Sequence, residues 1–250
     1  MKFESKVRMG ALICAVAAVL GAHAADKKDQ AKPSSQTIDS GSFGVFVDGN
    51  RVATETFTVQ QQNSASVVKS LLKATVGADP VVQKSDLEIT SSGELLRYEW
   101  SQVSGGSLTV MPNNDFLIEK ITTPTSTKPA EQPFLMPSTS AILDNNFFVH
   151  REVLAWRFLS GACKTEGGSL KCQQAPSDFG VLVPQDRTSI HVQMELVGKE
   201  KVTIRGTERE LLRLNLKGDN FQWSLWLDDR DQFKLMRVAI PADKTEVVRD

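Results

Sequence analysis

Histidine is the side chain best suited to moving protons near neutral pH, and this 250-residue chain carries three: His23, His150 and His191. His23 belongs to the N-terminal segment. His191 lies on the polar side of an alternating run, opposite Ile190, Val192 and Met194, and is expected to be solvated. His150 falls within a stripe of apolar residues at helical spacing. A lone histidine there reads as a hydrogen-bonded core residue, because general acid–base work needs a placed partner. Arg151 and Glu152 project from other faces of the same helix and build no constellation with it. Metal chemistry has no spacing to work with, since H-E-x-x-H, C-x-x-C and an acidic calcium loop are all missing. No G-x-S-x-G elbow or phosphate-cradling glycine loop occurs. The chain therefore reads as a non-enzyme, with no catalytic residue, no metal and no cofactor.

Of three cysteines, Cys14 lies in the N-terminal apolar run, which leaves Cys163 and Cys172. Gly167-Gly168 falls midway between these two and suits a tight reversal. An even pair so close in sequence is most simply a disulfide in an oxidising compartment. Closing so short a loop contributes about 2–3 kcal/mol in the chain-entropy model.

Aromatic placement points to binding. Trp223 shares a strand face with Phe221 and Leu225, whereas Trp226 shares the opposite face with Gln222 and Ser224. A large apolar side chain off the core face packs under a loop or lines a groove. The run after it is apolar on both sides, with Phe233 and Leu235 on one and Met236, Val238 and Ile240 on the other. Both sides must be covered, either by the chain's own helix or by an apolar ligand. The candidate lining residues are Trp100, Phe147, Leu154, Trp223 and Trp226.

The elements that must position these residues are mostly strands. Phe43, Val45 and Val47 alternate before Asp48-Gly49-Asn50, a hairpin turn signal. Runs at 51–61, 65–76, 82–90, 95–103, 107–111 and 115–122 continue a meander. Residues 123–139 hold four prolines and read as a connecting loop. Leu143, Phe147, His150, Leu154 and Phe158 then recur at helical spacing, which predicts a helix over 140–160, weakened by Asn145-Asn146. Alternation returns at 190–196, 212–217, 221–227 and 233–240, and 246–249 reads as a last edge strand. Strands with short connections around one helical insert predict a mainly β fold. Its form is a highly curved antiparallel sheet, or half-open β-barrel, with the helix on the concave side.

At the N-terminus, Lys2, Lys6 and Arg8 precede an apolar run from Met9 to Leu20, and Ala22-His23-Ala24 follows. That order predicts a signal peptide over 1–24, a flexible polar leader over 25–38 and one domain over 39–250. The protein is expected in the periplasm or outside the cell. Removing residues 1–24 takes away three basic residues and Glu4, leaving 26 basic and 29 acidic. This balance argues against a nucleic-acid partner, which needs a basic face. No later run is apolar enough to span a membrane.

The closing Trp223-Ser224-Leu225-Trp226-Leu227-Asp228 hairpin into Phe233–Val238 resembles that of envelope lipid carriers. So does the opening Gly44–Glu55, in which a glycine turn leads into a strand carrying a small residue and an acid. The carriers meant are the periplasmic lipoprotein-localisation carriers and the glycolipid-carrying lipoproteins. The resemblance implies acyl chains held on the concave face of a half-open barrel, with helices plugging its mouth. Sequence thus favours a non-catalytic binder of a lipid or other hydrophobic molecule, with a structural or protein-interaction module of the envelope with a fully packed core as the alternative. A hydrolase would need a concave site with two facing carboxylates.

Overall fold

The computed structural model describes residues 35–76, 79–126, 128–167, 169–173 and 175–250. The expected signal peptide and residues 25–34 of the leader lie outside the described residues. Residues 35–38 of that leader are already part of the first strand.

Eight strands form the first half: β1 (Ser35–Val47), β2 (Asn50–Gln62), β3 (Ala65–Val76), β4 (Asp79–Thr90), β5 (Leu95–Gln102), β6 (Gly106–Asn113), β7 (Phe116–Thr122) and β8 (Ala130–Phe134). Each pairs antiparallel with the next. The β1–β2 hairpin turns at Asp48 and Gly49, with φ of 49° and 79°. Both are in the left-handed region that this tight turn requires. Part of the proline-rich stretch expected as loop is β8, an edge strand that tolerates Pro133 because an outward N–H needs no partner.

After the two-residue β9 (Ala141–Ile142) comes helix α1 (Val149–Ala162), then a small separate hairpin of β10 (Cys163–Glu166) and β11 (Ser169–Cys172). Cys163 stands opposite Cys172 in that hairpin, and the two are disulfide-bonded. The helix is shorter than the expected 140–160. Asn145-Asn146 lies in the irregular approach to it. Even so, all five stripe residues are buried, because Leu143 and Phe147 pack from that approach.

The second half is β12 (Ser177–Val183), β13 (Thr188–Ile204), β14 (Thr207–Lys217), β15 (Gln222–Asp228), β16 (Lys234–Ile240) and β17 (Thr245–Arg249). The C-terminal strand was expected at an edge; it is interior. β17 lies between β16 and β1, so that the first and last described strands are neighbours in one fifteen-stranded sheet. Among the described residues its edges are β8 and β9, which do not pair, and the curved sheet stays open.

The main core lies on the concave side. Phe43, Phe57, Val68, Tyr98, Val110 and Leu117 line one half, and Met194, Leu214, Leu216, Leu225 and Val238 line the other. Val149, Leu154, Ala155 and Phe158 of α1 fill the space between. A second, small core sits elsewhere: Trp226 packs with Val202, Ile204 and Leu211, and Met236, Ala239 and Val248 surround it. The long β13–β14 hairpin, bent at a bulge between Leu196 and Gly198, supplies three of these residues. Trp226 thus packs under a strand hairpin, where the sequence suggests a loop or a groove.

Candidate functional site

The start of α1 exposes backbone N–H groups that need acceptors. Its N-cap residue is Phe148, which offers no side-chain cap. Glu55 of β2 takes that role from across the sheet. Its Oε2 accepts from the Phe148 N–H at 2.6 Å, and its Oε1 accepts from the Val149 N–H at 3.3 Å and from Ser70 Oγ at 2.7 Å. Glu55 occupies an inward position in the same phase as Phe57 and Val59, so strand alternation puts it on the concave face. Burial pushes its carboxyl up to about 7; Ser70, the two N–H groups and nearby Arg151 pull the other way.

Beside it lies a wider polar group. Asp144 accepts hydrogen bonds from Tyr98 Oη and Gln185 Nε2, and from the Asn146 N–H at 2.8 Å. Burial raises the Asp144 carboxyl, opposed by these donors and by Arg151. Burial, together with the Asp144 charge, also holds the Tyr98 phenol well above its usual range. Arg151 is 1% exposed. Its Nη1 donates to the carbonyls of Asp144 and Phe147, and its guanidinium lies 4.9 Å from the Phe148 ring and 4.8 Å from the Trp223 ring. Burial lowers Arg151 to about 10, resisted by Asp144, Glu55 and Tyr98. His150 Nδ1 accepts from the Asp144 N–H at 3.4 Å, which leaves the proton on Nε2, an atom with no partner among the described residues. Burial, then Arg151, depresses this imidazole to about 3.

A second carboxylate holds the next turn of the helix. Glu152 Oε1 accepts from the Leu235 N–H of β16 at 2.9 Å and lies 3.5 Å from Arg249 of β17. Arg249 also pairs with Asp39 of β1 at 2.6 Å. Burial and the neighbouring Asp39 push Glu152 well above the usual carboxylate range, with Arg249 opposing. Acids from β2 and from the helix thus tie α1 to both halves of the sheet.

This group brings together an imidazole, a phenol, a guanidinium and the carboxyls of Glu55 and Asp144 in a packed interior. The hollow beside the helix is about 50 Å³, lined by Leu87, Ile89, Leu95, Ile142, His150 and Leu154 among others. Ligand pockets run from about 300 to 1,000 Å³. No His/Cys/Asp/Glu cluster among the described residues could hold a metal. What the arrangement does chemically is satisfy a helix N-terminus and fix its direction.

The chain matches no protein-family model, no curated protein and no solved structure.

The five residues singled out from sequence do not meet at one place. Phe147 is fully buried with its ring 6.0 Å from His150, and Leu154 is buried in the main core and reaches the hollow. Trp223 is half-buried, 4.8 Å from Phe221 and beneath Arg151. Trp100 is half-buried too, and its Nε1 donates to Gln83 at 3.4 Å. Trp226 belongs to the separate small core. Arg151, expected to build no constellation with His150, is linked to it through Asp144; sequence reasoning marks Glu55 only as the acid of the opening hairpin and passes over Asp144. Only Glu55 left a local signal, as an acid in the apolar phase of an alternating strand.

Proposed function

We propose that this chain is a non-catalytic, exported module of the cell envelope that works through contacts on its outer surface. One observation carries the reading: the concave face, where a cargo would sit, is occupied by α1, with a hollow of only about 50 Å³ beside it. Apolar burial there stabilises the fold at about 25 cal/mol per Å² and leaves nothing for a guest. Native mass spectrometry of the protein purified from the envelope tests this. A mass equal to the bare chain, with no uptake of a fluorescent fatty acid, is the expected result. A co-purifying lipid would sink it.

A second reading, the binding of a lipid or other hydrophobic molecule on the concave face, keeps one observation in its favour. His150 Nε2, Arg151 Nε and Glu152 Oε2 of the helix are buried without hydrogen-bond partners among the described residues. An unmet buried polar group costs about 1–3 kcal/mol, so this joint between helix and sheet is not a perfect fit. The resemblance to envelope lipid carriers sides with this reading. The same mass measurement separates the two.

A further inference from the structure

A larger concavity lies on the opposite face of the sheet. It is an open groove of about 670 Å³ crossing β2 to β6, within the size range of ligand sites. Three register rows form it. The middle row, Phe57–Ser70–Ser85–Trp100–Leu108, turns its side chains toward the core. The flanking rows point outward: one runs from Thr56 through Leu71 to Ser107, the other from Thr58 through Asp86 to Thr109. Neighbouring strands lie about 4.8 Å apart, so the groove runs about 19 Å across five strands.

Its chemistry is specific in three respects. Hydroxyls from Thr56, Thr58, Ser101, Ser107 and Thr109 line it, and each can both donate and accept. Its charges are already paired for the most part: Lys69 lies 3.6 Å from Asp86, Glu99 accepts from Arg97 at 2.8 Å, and Lys84 lines the other ridge. Leu71 and the threonine methyls offer carbon surface between the hydroxyls. A polyanion would meet the two acids and a polycation the two lysines. An extended peptide gains most of its affinity from open backbone groups at a sheet edge, whereas the backbone under this groove is already paired on both sides. We propose that the groove binds a neutral oligosaccharide laid across the strands. This names a partner class for the outer-surface reading and rests on it.

Backbone amide NMR of the purified chain, titrated with neutral tetramers of glucose and of N-acetylglucosamine, tests the assignment. Shifts are expected at residues 56–58, 69–71, 84–86, 99–101 and 107–109, with none in β13 to β16. Ser101→Trp, which fills the groove from an outward position, is expected to weaken binding at least about tenfold. Thr109→Arg is expected to do the same should the first variant fold poorly. Silence at these positions with every neutral tetramer at about 10 mM overturns the proposal. So do undiminished shifts in both folded variants, or shifts produced by a Ser/Gly-rich decapeptide but by no tetramer. A lipid-bearing native mass overturns the outer-surface reading itself. A silent groove with a bare mass overturns only the sugar.

Discussion

Glu55 shows what one residue does when strand alternation carries an acid into a core. Its folded value of about 7 stands above its ordinary 4.5, so between those values the folded chain keeps a proton that the unfolded chain has released. The stability this contributes is complete below pH 4.5 and is lost as pH rises through 7. A shift of that size corresponds to about 3 kcal/mol. Glu119, buried with both oxygens unpartnered among the described residues and pushed to about 7 by burial, acts in the same direction. His150 opposes them: with a folded value of about 3 against 6.5, its contribution is complete above pH 6.5 and is lost as pH falls through 3. Urea unfolding of the wild type is therefore expected to show greatest stability near about pH 5 and a decline toward pH 8. In Glu55→Gln, which can still accept from the helix N–H groups, the decline should be clearly smaller. Equal declines in the two proteins would place the cause elsewhere. For His150 the expected result is an imidazole that stays neutral, with its proton on Nε2, from about pH 5 to 9. Nitrogen-15 shifts of the ring report this directly, and a titration inside that window would contradict the buried geometry.

Among the elements, the long β13–β14 hairpin carries the sharpest expectation. It reaches past β12 and β15, where both its edges lack a partner strand among the described residues, and Trp226 is its main anchor. The indole lies 5.6 Å from the Arg213 guanidinium and 4.8 Å from that of Arg237, and its Nε1 donates to Glu200 at 3.2 Å. Trp226→Ala is expected to cost about 3–5 kcal/mol and to open the hairpin near Arg205 to limited proteolysis while β1 to β8 stay protected. Uniform loss of protection would mean that the small core is not a separate unit. This element also marks how far sequence reasoning reaches. Period-two alternation made the strands, and hence the open curved sheet, readable, because that pattern is local. The same pattern placed Trp226 on the face opposite Trp223. It could not show which element would cover Trp226, because the cover comes from a bulge and a bend about 30 residues upstream. For the helix, the apolar stripe identified the buried residues correctly, yet it ran through Leu143 and Phe147, which are buried without being helical. The polar anchors were least legible. Glu55 meets α1 across 93 residues, and no spacing rule spans that distance.

At the scale of the whole molecule, the sheet is continuous only because the last strand joins the first. β17 is hydrogen-bonded to β1 on one side and β16 on the other, and Val247 is fully buried between the halves. Arg249 adds a polar tie, reaching Asp39 of β1, Glu152 of α1 and the Leu235 carbonyl of β16. A terminal strand is ordinarily where a chain tolerates loss, because few contacts depend on it. Here its removal would expose the edges of both β1 and β16, take Arg249 away from Glu152, and leave Asp39 with only the more distant Lys234 at 3.8 Å. Truncation after Asp243 is therefore expected to abolish the cooperative unfolding transition. Val247→Asp, which keeps the backbone ladder but buries a charge, should lower the urea midpoint severely. Arg249→Leu tests the polar tie alone and is expected to cost about 3–5 kcal/mol, the usual penalty for breaking a buried ion pair from one side. If the truncated chain instead unfolds with wild-type cooperativity, the two halves are independently stable, and the junction at β17 is a contact rather than the seam that makes them one sheet.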